Sequence, residues 1–230
     1  MPAERAPVCV IPARGGSKRF PRKNLALFRG RTLVGLAVET ALESGVYSRV
    51  IVSTDADEIA EAARAAGADI RERPADLSGD FTTLEPVLLD AVDWLAATGH
   101  AVDVGSVMLT TSPLRTADDI RDAYKRFTSA EADYLMVVSR YIKSPFLALR
   151  QEDGFASLMF PELARQQPSP PVWVDTGMVY FARLDALRRE RTFYGQRLIT
   201  HEITADRAID VDEPYHLKLA ELLDAARPAR

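Results

Sequence analysis

The chain is short of cysteine and of long apolar runs. Its 230 residues include one cysteine, Cys9, which excludes an intrachain disulfide and a cysteine metal cluster. No apolar run approaches the roughly 18 residues that a membrane span needs. The opening Met-Pro-Ala-Glu-Arg lacks the apolar core of a secretory leader. These absences point to a cytoplasmic protein with no membrane partner. Internal repeats and low-complexity tracts are also missing. The most telling absence is local: from Arg5 to Val38 there is no Asp or Glu, although eight residues are Lys or Arg and the whole chain carries a net charge of −4.

What fills that acid-free stretch points to chemistry. Val8 to Ile11 reads as a buried strand, and a helical pattern begins near Thr32. Between them lies Ile-Pro-Ala-Arg-Gly-Gly-Ser-Lys-Arg-Phe-Pro-Arg-Lys-Asn, residues 11–24. Gly15, Gly16 and Ser17 free the backbone to curl. Its N–H groups and the surrounding cations can then converge on phosphate oxygens, with the positive end of the following helix behind them. A solvated basic loop or a nucleic-acid surface is the competing reading. Neither needs two glycines directly at the end of a buried strand, so a bound polyphosphate is the better account, with no nucleic acid partner.

The segment Ala-Arg-Gly-Gly-Ser-Lys-Arg-x-Pro-x-Lys-Asn resembles the N-terminal signature of the cytidylyltransferases that activate nine-carbon 2-keto sugar acids. Its Gly-Gly-Ser-Lys-Arg form is most similar to the pseudaminic type. The resemblance implies a Mg²⁺-dependent enzyme that joins CTP to a 2-keto-3-deoxy acid of the sialic, pseudaminic or legionaminic type, releasing pyrophosphate. It makes Arg14, Lys18 and Lys23 the cations that stabilise transfer. It sets Gly15, Gly16 and Ser17 against the nucleotide phosphates and Asn24 near the cytosine or ribose. Arg73-Pro-Ala-Asp-Leu77 and Asp80-Phe-Thr-Thr83 resemble the loop around the base, which implies roles for Arg73 and Thr83. Thr111-Ser-Pro-Leu-Arg115 matches a further family loop. Sialate enzymes carry Gln-Pro before that loop where this chain has Leu109-Thr110, which weakens a sialic acid assignment.

On the acceptor side the resemblance implies that Arg165 and Gln166 reach across a homodimer to the partner's sugar site. It sets Asp175 beside the sugar, in an Asp175-Thr176-Gly177 stretch where sialate enzymes have a Pro-Asn-Gly turn. The segment Ala208-Ile-Asp-Val-Asp-Glu places Asp210 and Asp212 two apart on an apparent strand, so both carboxylates face one side. Hard oxygen ligands suit Mg²⁺, and the resemblance makes the pair its ligands. Alternatively, Asp212 before Glu213-Pro214 is a helix N-cap.

Strand and helix patterns alternate along the chain. Strands are predicted at 50–54, 69–71, 107–110, 134–139, 173–181 and 198–203, and helices at 32–44, 55–66, 84–97, 117–127 and 213–226. This order predicts one α/β domain over residues 1–230: a doubly wound, mostly parallel sheet, a nucleotidyltransferase-like variant of the Rossmann arrangement. In such a sheet, ligands sit outside the C-terminal strand ends, which brings the basic loop, Ser53 to Asp55 and Thr110 to Arg115 together. Residues 140–173 lose all periodicity and gather prolines. They read as an inserted arm for dimerisation and sugar binding. Two alternatives stand beside the enzyme: a nucleotide-binding regulatory protein of the same fold, or a cytidylyltransferase for another acidic acceptor.

Overall fold

The computed structural model describes residues 6–164 and 170–227. In chain order the elements are β1 (Val8–Pro12), β2 (Leu27–Phe28), β3 (Arg31–Thr32), α1 (Leu33–Ser44), β4 (Arg49–Thr54), α2 (Asp57–Ala65) and β5 (Asp69–Glu72). Then come α3 (Leu84–Ala97), β6 (Val104–Val107), α4 (Ala117–Ser129), β7 (Tyr134–Arg140), β8 (Leu149–Glu152), β9 (Phe155–Leu158) and α5 (Pro161–Ala164). β10 (Trp173–Arg183), α6 (Leu184–Glu190), β11 (Leu198–Ile203) and α7 (Pro214–Ala225) complete the series.

Seven strands form one sheet in the order β11-β7-β10-β6-β1-β4-β5. Every pairing is parallel except those of β10, which runs antiparallel to both β6 and β7. Strands buried on both faces read as continuous apolar runs, and β1 shows why. Cys9 and Ile11 join the core that α1 and α4 cover, with Val38, Ile120 and Phe127. Val8 and Val10 face the opposite core, with Leu88 and Leu95 of α3 and Leu187 of α6. The register pairs Pro12 with Ser53, so the chain leaves β1 and β4 at the same level, at the edge where the basic loop begins.

Three expectations need correction. The sixth strand is Val104–Val107, not 107–110, because its middle residues are small rather than apolar. A Cβ on Gly105 would lie 3.0 Å from Leu88 and Leu184, so this strand is buried by close helix packing that hydropathy does not register. Helix α6 was not expected; seven residues with three adjacent charges, Arg188-Arg-Glu, carry too short a period to read. The helix expected from Asp55 starts at Asp57, because Asp55 is used elsewhere.

The arm contains an antiparallel hairpin of β8 and β9, turned through Asp153 and Gly154, both at positive φ. The rings of Phe146 and Phe160 meet edge to face. Phe155 and Ile142 remain 81% and 87% exposed.

Candidate active site

The C-terminal ends of β1, β5 and β6 open onto a cleft of about 630 Å³. Arg14, Ser17, Lys18, Lys23 and Asn24 line it from the basic loop. Arg73 comes from the end of β5, and Asp210 and Asp212 come from the segment before α7. Residues nearly 200 positions apart thus face one space.

The loop is held open by specific contacts. The Gly15 N–H donates to Asp55 Oδ1 at 2.8 Å, and a Cβ at Gly15 would lie 3.0 Å from that of Ala56. Gly15 is therefore needed for close approach to the start of α2. Gly16 has open space around it, and neither glycine has positive φ; the left-handed residue of the loop is Arg22. The expected support from the α1 N-terminus is also absent. A short 3-10 turn over Lys23–Leu25 and the β2–β3 ribbon separate the loop from α1, and no residue of α1 lines the cleft.

Two carboxylates collect the cations. Asp80 accepts from Arg14 Nη1 at 2.7 Å and pairs with Lys18, and those two hydrogen bonds hold its carboxyl below the ordinary carboxylate range. Asp212 pairs with Lys23 at 2.9 Å and with Arg19 at 2.7 Å. Burial alone would raise the Asp212 carboxyl, but the Lys23 hydrogen bond and the charges of Lys23 and Arg19 outweigh it and hold it low. Arg22 instead pairs with the exposed Glu58 and behaves as a solvated cation. The sequence placed Asp55 and Asp80 near the site but not their ion-pair and hydrogen-bond roles; their partners lie 40 to 66 residues away.

Asn24 is buried and bonded through both ends of its amide. It donates to the Arg14 carbonyl at 2.9 Å and accepts from the Thr110 hydroxyl at 2.6 Å, tying the basic loop to the exit of β6. Arg73 is buried against Ser53, donating to its hydroxyl and its carbonyl; burial lowers its pKa. Thr83 precedes α3 without a side-chain cap, and the cleft is lined by its neighbours Thr82 and Leu84 rather than by Thr83.

Asp210 and Asp212 lie on an irregular segment rather than the apparent strand, yet both face the cleft. Val211 between them is buried and donates its N–H to the Thr111 carbonyl at 2.8 Å. The helix-cap reading of Asp212 fails. The N-cap of α7 is Glu213, in a reciprocal capping box with His216. Asp210 opens to the cleft but is otherwise hemmed in by protein. This desolvation raises its carboxyl above the ordinary range, helped by the Asp212 charge and opposed by the nearby Thr111 hydroxyl and Lys23. The two carboxylates suit a divalent cation that takes one or two protein oxygens and fills its remaining positions with phosphate and water, as Mg²⁺ does. No group of three or more His, Cys, Asp or Glu forms a cage among the described residues.

Asp175 stands behind this cleft, not in its lining. It accepts from the Gly177 N–H at 2.9 Å and from the hydroxyls of Tyr180 and Tyr194 at 2.6 and 3.2 Å. Burial, and then the Asp175 charge, raise the Tyr180 hydroxyl far above its usual range. Arg165 and Gln166 lie outside the described residues.

The fold and the cleft define a nucleotidyltransferase-like α/β protein. Its backbone is similar to that of CMP:2-keto-3-deoxy-manno-octonic acid synthetase complexed with CTP, with a TM-score of 0.71 at 18% identity over 95% of this chain and 98% of that one. It is also similar to 4-diphosphocytidyl-2C-methyl-D-erythritol synthase of Anaerococcus prevotii, with a TM-score of 0.62 at 10% identity over 95% and 97%. Residues 8–93 match a family model described as Cytidylyltransferase. The chain is 29% identical over 220 residues to pseudaminic acid cytidylyltransferase of Campylobacter jejuni, 94% of this chain and 95% of that protein. It is 28% identical over 224 residues to CMP-N,N'-diacetyllegionaminic acid synthase of Legionella pneumophila, again 94% and 95%. The chain is a relative of these cytidylyltransferases, as its N-terminal signature implied. Among the described residues no helix is long and apolar enough to cross a membrane.

Proposed function

We propose that this protein transfers CMP from CTP to a nine-carbon 2-keto-3-deoxy sugar acid and releases pyrophosphate, with an acceptor of the pseudaminic or legionaminic type. One observation carries the reading: Arg14, Lys18, Lys23 and Arg19 converge from one loop on a cleft that Asp210 and Asp212 share. Attack on the α-phosphate leaves charge on the departing pyrophosphate, and positioned cations are the means of stabilising it. Arg14 and Lys18 are held by Asp80 and turn to the phosphates when a nucleotide enters. Lys23 and Arg19, on Asp212, keep the cations and the carboxylates in register.

Asp210 and Asp212 would hold Mg²⁺, which when bound neutralises phosphate oxygens and aligns the triphosphate. Burial of Arg73 beside Ser53 gives a fixed donor at the mouth of β4, suited to the base or ribose. The full coverage of the two relatives supports the same reaction, and their two acids are the acceptors to try first. The arm supports a homodimer. Ile142, Leu149 and Phe155 are exposed apolar side chains that a second chain would cover.

Purified protein incubated with CTP, Mg²⁺ and a panel of pseudaminic, legionaminic, sialic and Kdn acids tests the reading through pyrophosphate release. Release with one of the first two is expected. Failure with every acid, while CTP still binds, would favour the regulatory alternative.

A further inference from the structure

Arg115 is an unusual residue in this molecule. Its side chain is 6% exposed and has no ion-pair partner among the described residues. The acidic groups that face it are the Cys9 thiol of β1 and the Tyr47 hydroxyl ahead of β4. Burial pushes that thiol up to about 12 and the Tyr47 hydroxyl well above its ordinary range, so neither is ionised near neutrality. A buried cation without an anion is unfavourable unless its hydrogen bonds are well used. Arg115 Nη1 donates to two carbonyls, those of Leu109 at 2.9 Å and Met178 at 2.7 Å.

These carbonyls belong to the junction of three functional segments. Beside Leu109, Thr110 holds Asn24 and through it Arg14. The next carbonyl, that of Thr111, holds Val211 between the two cleft carboxylates. Met178 lies in the irregular stretch of β10 between Asp175 and Tyr180, where the register shifts. The Ser112 hydroxyl and the Leu109 N–H also bond to that stretch, at the carbonyls of Thr176 and Gly177.

We infer that Arg115 is a positioning residue for the reaction proposed above: its buried guanidinium, through Nη1, fixes the Leu109 and Met178 carbonyls and so sets the basic loop, the carboxylate segment and the β10 irregularity in one register. The inference rests on the cytidylyl-transfer reading for its kinetic consequences but not for its structural ones. Both bonds leave the single nitrogen Nη1, so a lysine ammonium can stand in for it only while it keeps its proton, a dependence the guanidinium does not share.

The test uses Arg115→Met and Arg115→Lys in the full chain, below the melting temperature, with folding checked by circular dichroism. Hydrogen exchange is expected to speed up at the amides of residues 109–112 and 176–178 in Arg115→Met, and to stay unchanged at β4. Loss of kcat on the order of 100-fold is expected, the scale of a misplaced reacting group, with a smaller change in KM for CTP. Arg115→Lys supplies the sharper readout. A buried ammonium loses its proton well below its ordinary pKa, so the ratio of variant to wild-type kcat should fall as pH rises from 6 to 8.5. A flat ratio overturns the inference, as does wild-type exchange at those amides, and a lowered melting temperature with intact kcat reduces Arg115 to packing. If Arg115→Met does not fold, the lysine ratio decides alone. If the wild type releases no pyrophosphate, the reaction reading falls, and exchange still judges Arg115.

Discussion

In the cleft, cations from a single loop meet carboxylates contributed by distant segments, and almost every polar group has a named partner. In the arm, β8 and β9 pair only with each other, and their side chains are exposed except for the half-buried Leu158. The cleft is organised by contacts within one chain: Gly15 to Asp55, Asn24 to Arg14 and Thr110, and Lys23 to Asp212. The arm is organised by its own β8–β9 ladder, the edge-to-face contact of Phe146 with Phe160, and backbone bonds such as Met159 N–H to the Ala148 carbonyl and Tyr141 N–H to the Val172 carbonyl. The difference teaches that the polar groups of the cleft find their partners within one chain, whereas the arm leaves apolar side chains exposed, which the proposed dimer would cover.

The largest expected effect lies in the cleft. Asp212→Ala should abolish turnover, by about 1,000-fold or more in kcat, because charge stabilisation at phosphate oxygens is worth several kcal/mol. The fold should remain intact by circular dichroism, since Asp212 caps no helix, and wild-type activity should vanish in EDTA. An active Asp212→Ala protein would break the account of the cleft.

Next in size are the cations. Lys23→Ala and Arg14→Ala should each lower kcat/KM by roughly 2 kcal/mol or more, the scale of one lost charge-stabilising donor. Arg29→Ala should change it little, because Arg29 is paired with Asp224 on α7. Similar losses at all three positions would mean a diffuse basic field.

The arm makes a smaller and more selective prediction. Arg165→Ala should raise KM for the sugar acid by about tenfold, the scale of one charge-assisted hydrogen bond, and leave KM for CTP nearly unchanged. Light scattering should find a dimer. Mixed dimers of Arg165→Ala and Asp212→Ala chains should recover activity, since one of their two sites carries neither defect. A monomer, or no recovery in mixed dimers, would end the idea that the arm is shared.

The smallest effect concerns stability. The Asp210 carboxyl is raised in the folded protein, so the native state loses stability as pH rises from the unfolded value through the folded one. Asp212 is depressed; its contribution is present above the unfolded value and lost as pH falls through the folded one. Asp210→Asn should therefore raise Tm at pH 7 by no more than about 2 °C. Scanning calorimetry at pH 3, where the wild-type carboxyl is itself protonated, should show that gain gone.

The sequence by itself determined the strand-loop start, most strands and helices, the chemistry of residues 11–24 and the family resemblance, because each rests on contiguous residues and local periodicity. Apolar alternation and runs give β1, β4 and β7, and Gly15 followed by cations gives a basic loop at the strand end. Only the tertiary structure decided that Asp55 and Asp80 serve that loop, that Asp212 faces the cleft while Glu213 caps α7, and that Asp175 is bound to two tyrosines. It alone showed Arg115 as a buried cation under the Leu109 and Met178 carbonyls. These facts depend on pairs separated by tens of residues or more, and on whether a side chain is inside or outside. Neither leaves a period in the sequence: burial and charge pairing are properties of where the chain returns, and the return is fixed by packing the whole sheet.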